Sequence, residues 1–202
     1  LLVSSTGQRN AAVGYQALTA ATTGSDNVTM GYLAGTAVTT GIENTLIGYY
    51  AGAASTTTNY NTAVGSGALQ NNTAAGNVAV GRAALYANTT GVDNTAVGFA
   101  ALDANTTGTD NTAIGDNALG VNTTGGDNVA IGSGALDANT TAANNTTVGA
   151  ESMSANTTGT QNTAMGKASM GANTTGSYNV AYGAYSLDAN TTASDNTAIG
   201  YG

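Results

Sequence analysis

The chain has 202 residues, of which only 7 % are charged, and it contains no Pro, Cys, His or Trp. With Arg9, Arg82 and Lys167 as its three bases and a net charge of −8, it lacks the basic face that nucleic acid or an anionic membrane surface requires. The missing cysteines exclude a disulfide scaffold and a thiolate metal site, and no apolar run reaches the roughly 18 residues of a membrane helix.

The opening residues, LLVSSTGQR, are the tail of a pattern that first appears in full at Asn10. The element N-x-x-[VIMY]-G starts at Asn10, Asn27, Asn44, Asn61, Asn77, Asn94, Asn111, Asn128, Asn145, Asn162, Asn179 and Asn196. Neighbouring copies are seventeen residues apart, except that Asn61 and Asn77 are sixteen apart. Twelve in-phase copies make residues 1–202 a single quasi-one-dimensional array rather than two domains. Counting that Asn as column 1, the repeat reads N-T-A-V-G-x-x-A-L-x-A-N-T-T-G-x-D.

Within each copy, columns 2 and 4 share one face of a strand and column 3 takes the other. Column 4 is aliphatic in most copies, as at Val97, Ile114 and Ile131, and column 9 supplies Leu102, Leu119 and Leu136. These six form the expected core ladder. The glycines of column 5, such as Gly98, Gly115 and Gly132, suit corners where a side chain would clash or φ must turn positive. Each copy therefore reads as two or three strands of three to four residues joined by tight corners. Helical-pair repeats need more than about thirty residues, and the Asn-Gly and Asp-Gly pairs that antiparallel hairpins favour are absent. The prediction is an all-β fold, a parallel β-solenoid (a β-roll or β-helix) of about twelve 17-residue coils.

Stacked coils place each residue above its own kind. Asn amides and Thr tolerate such ladders, and charges do not, which accounts for the vocabulary of the chain. The small residues of columns 3 and 8, mostly Ala, would suit close packing between neighbouring rods.

Taken along the chain, Tyr15, Tyr32 and Tyr49 in column 6 form a candidate aromatic ladder, which would stabilise the stack or present a patch to carbohydrate. Asp93, Asp110 and Asp127 stack in column 17, an arrangement that invites a cation. A hard cation needs about six oxygens, so a solvated corner is the stronger reading. Thr107, Thr124 and Thr141 define a candidate Thr face of the kind an ice binder would use. Asn-Thr-Thr sequons recur at Asn88, Asn105, Asn122, Asn139, Asn156, Asn173 and Asn190, although an Asn turn before a Thr strand explains them without sugar. No residue set suggests catalysis or a cofactor.

The strings NTAVG, NTAIG and NVAIG resemble the head repeats of trimeric autotransporter adhesins, the YadA-like family, and related phage tail-fibre repeats. In that family the two aliphatics point inward, Gly makes the corner, and three β-rolls pack into a trimer. The resemblance implies that Val129 and Ile131 are core and Gly132 a corner, with Thr95, Val97 and Gly98 in matching roles.

The sequence starts and stops in mid-repeat, so that Gly202 and Leu1 are almost in phase. It reads as a fragment of a longer chain or as a unit that joins end to end. The expected protein is a non-enzymatic structural rod, extracellular or on a cell or virion surface, partnered by itself as a homotrimer or an end-to-end filament. An ice-binding solenoid is the alternative from a different class.

Overall fold

The computed structural model describes residues 6–202, so the phase between Leu1 and Gly202 lies outside the described residues. The chain forms twelve three-residue strands: β1 (Ala11–Val13), β2 (Val28–Met30), β3 (Thr45–Ile47), β4 (Thr62–Val64), β5 (Val78–Val80), β6 (Thr95–Val97), β7 (Thr112–Ile114), β8 (Val129–Ile131), β9 (Thr146–Val148), β10 (Thr163–Met165), β11 (Val180–Tyr182) and β12 (Thr197–Ile199). They pair in chain order into one parallel sheet. Register is column on column, as in Thr95↔Thr112, Ala96↔Ala113 and Val97↔Ile114 between β6 and β7. This is the expected β-solenoid, and at roughly 4.8 Å per strand its rod is on the order of 50 Å long.

Each coil holds one strand, not two or three. The reason is a set of left-handed residues that the repeat places after the strand. In the sixth coil these are Gly98 (φ 142°), Ala100 (φ 50°), Leu102 (φ 52°) and Asp110 (φ 58°), and the same columns repeat them in the other coils. Extended runs cannot pass through such residues. The turns they create still bond from coil to coil, as in Leu102 N–H to Ala118 C=O at 3.0 Å and Thr106 N–H to Thr123 C=O at 2.9 Å.

The strand faces are the reverse of the expectation. The central residue points into the coil: Ala63, Ala79, Ala96, Ala113 and Ala130 are completely buried. Val97 and Ile131 are only half-buried and Ile114 is exposed, so these three are not core. Neither are Val129 and Thr95, the positions that the family resemblance would have turned inward. Leu102, Leu119 and Leu136 are fully buried as expected. A three-residue strand offers one face with one side chain and one with two, and the lumen already holds the column 9 leucine. Only the single Ala fits.

The third coil demonstrates that the lumen has one volume to share. Column 9 is Gly in the second and third coils, at Gly35 and Gly52, and column 3 of the third coil is Leu46, which is fully buried. A methyl group added at Gly52 would lie 2.6 Å from the Leu46 side chain, and one at Gly35 would lie 2.9 Å from it. Leu46→Ala and Gly52→Leu should each destabilise the rod, one by a void and one by overlap. Combined, they should cost less than their sum, with a coupling of about 1–3 kcal/mol in a denaturant double-mutant cycle.

Column 8 is also internal: Ala68, Ala84, Ala101, Ala118 and Ala135 are fully buried. The small-residue columns therefore line the lumen and are not available for packing between rods. Because the chain lacks Cys, the facing can be read chemically. A Val97→Cys variant kept monomeric should react with a thiol reagent at a rate near that of a free thiol. Ala96→Cys should react at least tenfold more slowly.

Two ladders of buried asparagine complete the interior. In column 1, Asn111 donates its backbone N–H and its Nδ2 to Asn94 Oδ1 at 3.0 and 3.1 Å, and Nδ2 also donates to Gly125 C=O at 2.9 Å. In column 12, Asn122 Nδ2 donates to Asn105 Oδ1 at 2.9 Å and to the same Gly125 carbonyl at 3.0 Å. The two ladders thus meet on one carbonyl and brace the corner of each coil. Buried amides need this saturation, since an unpaired one costs about 1–3 kcal/mol. Among the described residues, Thr58 and Thr147 carry the buried hydroxyls without a partner.

The single sixteen-residue spacing is absorbed at an exposed position. Thr73 pairs with Thr89 through backbone and hydroxyl, as Thr106 does with Thr123. Ala74 C=O accepts from Asn61 and Asn72, the role that Gly91 C=O plays one coil later. The residue dropped is the exposed Thr of column 14, so β4 and β5 keep their register.

Candidate functional surface

Because column 3 points in, columns 2 and 4 point out. They form two parallel ladders along the rod, Thr or Val in one and Val, Ile or Met in the other, with Ala11 and Tyr182 as departures. No charged residue occurs in either column. The strand backbone beneath them is hydrogen-bonded on both sides in every internal coil, so the face is flat and rigid. Monomeric proteins seldom expose a contiguous apolar patch of more than a few hundred Å², and here a half-buried to exposed Val, Ile and Met row, broken at Tyr182, runs the length of the sheet beside the Thr and Val row.

The charges lie elsewhere. Asp93, Asp110 and Asp127 are exposed at column 17, each with φ near 56–58°. The conformation explains them, since Asp and Asn tolerate the left-handed region better than most residues. The same column holds Tyr60, Asn144, Gln161 and Tyr178 in the same conformation. Among the described residues, no group of three or more acidic side chains converges as a metal site would require. At the first copy of the column the guanidinium of Arg9 holds Asp26 at 2.5 and 2.7 Å, which lowers the Asp26 carboxyl below its ordinary range. Burial pushes the carboxyls of Asp103 and Asp137 upward. They stand two coils apart in column 10, about 10 Å along the rod, and do not form a pair.

Thr107, Thr124 and Thr141 are exposed in consecutive coils, as the Thr face requires. Column 13, beside them, spends its hydroxyls internally: Thr106 and Thr123 each donate to the next coil's carbonyl at 3.0 Å. The sequon asparagines Asn88, Asn105, Asn122, Asn139, Asn156 and Asn173 are the buried column 12 ladder, so in the folded rod their amides are not open to a glycosylating enzyme.

Tyr15, Tyr32 and Tyr49 do stack, with centroids 5.1 and 5.4 Å apart and planes within 12°. Their ring faces are turned on one another, while each residue remains exposed. A sugar ring, which stacks on an aromatic face, would find the faces within this stack already taken. Further along column 6, Arg82 lies over Phe99 at 5.3 Å.

The outward aliphatic face is what sequence reasoning missed, and a signal for it was present. Column 4 varies from Val to Met30, Met165 and Tyr182, a range that a one-residue lumen could not accept.

The fold and its faces define a β-solenoid repeat protein. Among the described residues no helix is long and apolar enough to cross a membrane. Comparison with protein-family models, with curated proteins and with solved structures returned no match.

Proposed function

We propose that the chain is a non-enzymatic structural rod of an extracellular or virion-surface fibre, of the adhesin-head or tail-fibre type, which works as a homo-oligomer. The observation that carries this reading is the outward face of columns 2 and 4, uncharged over twelve coils, with a Val, Ile or Met row broken only by Tyr182 beside a row of Thr and Val that opens with Ala11. A second copy is its occupant. Two like faces meet without charge repulsion, although each chain carries a net charge of −8, because the charges sit in other columns. A strand three residues wide over a 50 Å rod offers roughly 500 Å² per chain. A pairwise contact then buries about 1,000 Å², the size a biological interface must clear but short of the roughly 1,200 Å² of stable ones. Trimer formation, in which each chain uses two edges of that face, would exceed it.

The test is a triple variant with Val64, Val97 and Ile131, which stand two coils apart in column 4, all changed to Lys. These side chains leave the lumen untouched, so a chevron or thermal scan of the isolated rod should stay within about 1 kcal/mol of the parent for surface changes. The solution mass should fall to that of one chain. An unchanged oligomer would place the contact elsewhere.

A second reading rests on the exposed, evenly spaced Thr107, Thr124 and Thr141. If the unmodified chain is monomeric, ice-crystal shaping is the assay to run, with Thr124→Lys as the variant expected to abolish it.

A further inference from the structure

The first coils carry an aromatic cluster that a rod does not require. Tyr15, Tyr32 and Tyr49 stack in consecutive coils at 5.1 and 5.4 Å. Tyr50, one residue on, meets Tyr49 edge-on at 4.6 Å and Tyr32 at 5.8 Å. Ring pairs of this kind are rare elsewhere: among the described residues the other close tyrosine pair is Tyr185 and Tyr201, edge-on at 5.9 Å. Tyr15, Tyr32 and Tyr49 are all exposed. They lie one residue beyond the corner glycine, off the strand face assigned to the second copy, so the cluster is independent of that assignment.

Stacked aromatics stabilise a fold by offset contact, and phenylalanine would do so without a hydroxyl. The hydroxyl adds one chemistry that phenylalanine lacks, which is one-electron oxidation. Neighbouring phenols anchored in the turns of successive coils, one strand spacing of about 4.8 Å apart, are also placed for the reaction that follows it.

We propose that this cluster is an oxidative cross-linking site, at which a one-electron oxidant joins two tyrosines of the same chain as dityrosine and staples consecutive coils. Each phenol gives up one electron and its hydroxyl proton, leaving a phenoxyl radical with unpaired spin on the ring carbons beside the oxygen. Two such carbons form a carbon–carbon bond. The hydrogens on those carbons move to the oxygens as the rings regain aromaticity. The chain loses two hydrogens in total, and with a peroxide as the terminal acceptor the two electrons and two protons convert one hydrogen peroxide into two waters. Holding the partners side by side makes the joining step intramolecular, which raises its rate over the encounter of two free chains by a large effective concentration. Exposure leaves the side chains room to swing from face-to-face stacking to the edge contact that the bond needs.

The experiment uses the full chain, diluted, with a small ruthenium photo-oxidant and persulfate as acceptor, followed by denaturation and a protease that cuts after acidic residues. Cleavage at Asp26, Glu43 and Asp93 puts Tyr15 alone in one fragment, Tyr32 alone in a second, and Tyr49 and Tyr50, together with Tyr60 and Tyr86, in a third. The expected product is blue-fluorescent and runs as a single chain on a denaturing gel. In it, fragment 27–43 is joined to a neighbouring fragment with the loss of two hydrogens. Tyr32→Phe keeps the ring but should remove every join to fragment 27–43 and lower the yield of joins among fragments from residues 1–93 at least fivefold. Tyr86→Phe should leave that yield unchanged. Free fragments throughout, dityrosine found only in covalent dimers, or an undiminished yield in Tyr32→Phe would each overturn the proposal.

Discussion

Gly98→Ala destabilises the rod by at least about 4 kcal/mol, among the largest effects a single methyl group produces. Two causes add. The residue has φ 142°, a conformation that only glycine adopts at low cost, with a penalty of about 1–3 kcal/mol for others. The added carbon would also overlap the carbonyl of Gly115 in the next coil, and that carbonyl is backbone and cannot swing away. Gly31, Gly48, Gly65, Gly115, Gly132 and Gly149 stand in the same relation to the coil that follows. A nearby glycine supplies the control. Gly108 also approaches a carbonyl of the next coil, that of Gly125, yet its column holds Ala142 in another coil and no positive φ is required. Gly108→Ala keeps the overlap with the next coil's carbonyl but not the φ strain, so it should cost about 1–3 kcal/mol less than Gly98→Ala. Urea unfolding of the two variants, each against the parent, checks both figures.

Asn111→Asp is the second large effect, about 3–5 kcal/mol at neutral pH, the cost of an uncompensated buried charge. The amide donates to Asn94 Oδ1 and Gly125 C=O and accepts from the backbone and side chain of Asn128 at 3.1 Å. A carboxylate keeps the accepting role and turns both donor contacts into repulsions. The sign with pH follows. Burial among acceptors favours the protonated acid, so its folded pKa lies above the unfolded one. The lost stability therefore returns as pH falls through the folded value, where the protonated acid donates again. Urea midpoints across the acid range, with Asn111→Ala as the charge-free comparison, separate this from loss of packing. The Ala variant should show no such recovery.

Fold class was legible because a seventeen-residue repeat too short for helices leaves few alternatives, and because Asn, Thr and Gly are residues that tolerate their own copies overhead. The corner glycines were legible too, at Gly98 as elsewhere. The facing of the strand was not. Period-2 alternation assigns Ala96 and Val97 to opposite sides but does not say which side is inside, and hydrophobicity points the wrong way when the lumen is too narrow for Val. The deciding clue was the exchange of volume between Leu46 and Gly35 or Gly52, which makes sense only if columns 3 and 9 share one space. The left-handed leucines at Leu102 and Leu119 were illegible for a different reason. A Leu in that conformation carries a local cost of about 1–2 kcal/mol, and it is adopted because the turn sends the side chain into the lumen.

The central claim is that the outward aliphatic face is covered by a second copy of the chain. Light scattering on the unmodified protein at micromolar concentration tests it most directly. A covered face gives a discrete multiple of the 19.5 kDa chain, threefold if three such faces close on one another. A monodisperse mass of one chain would contradict it.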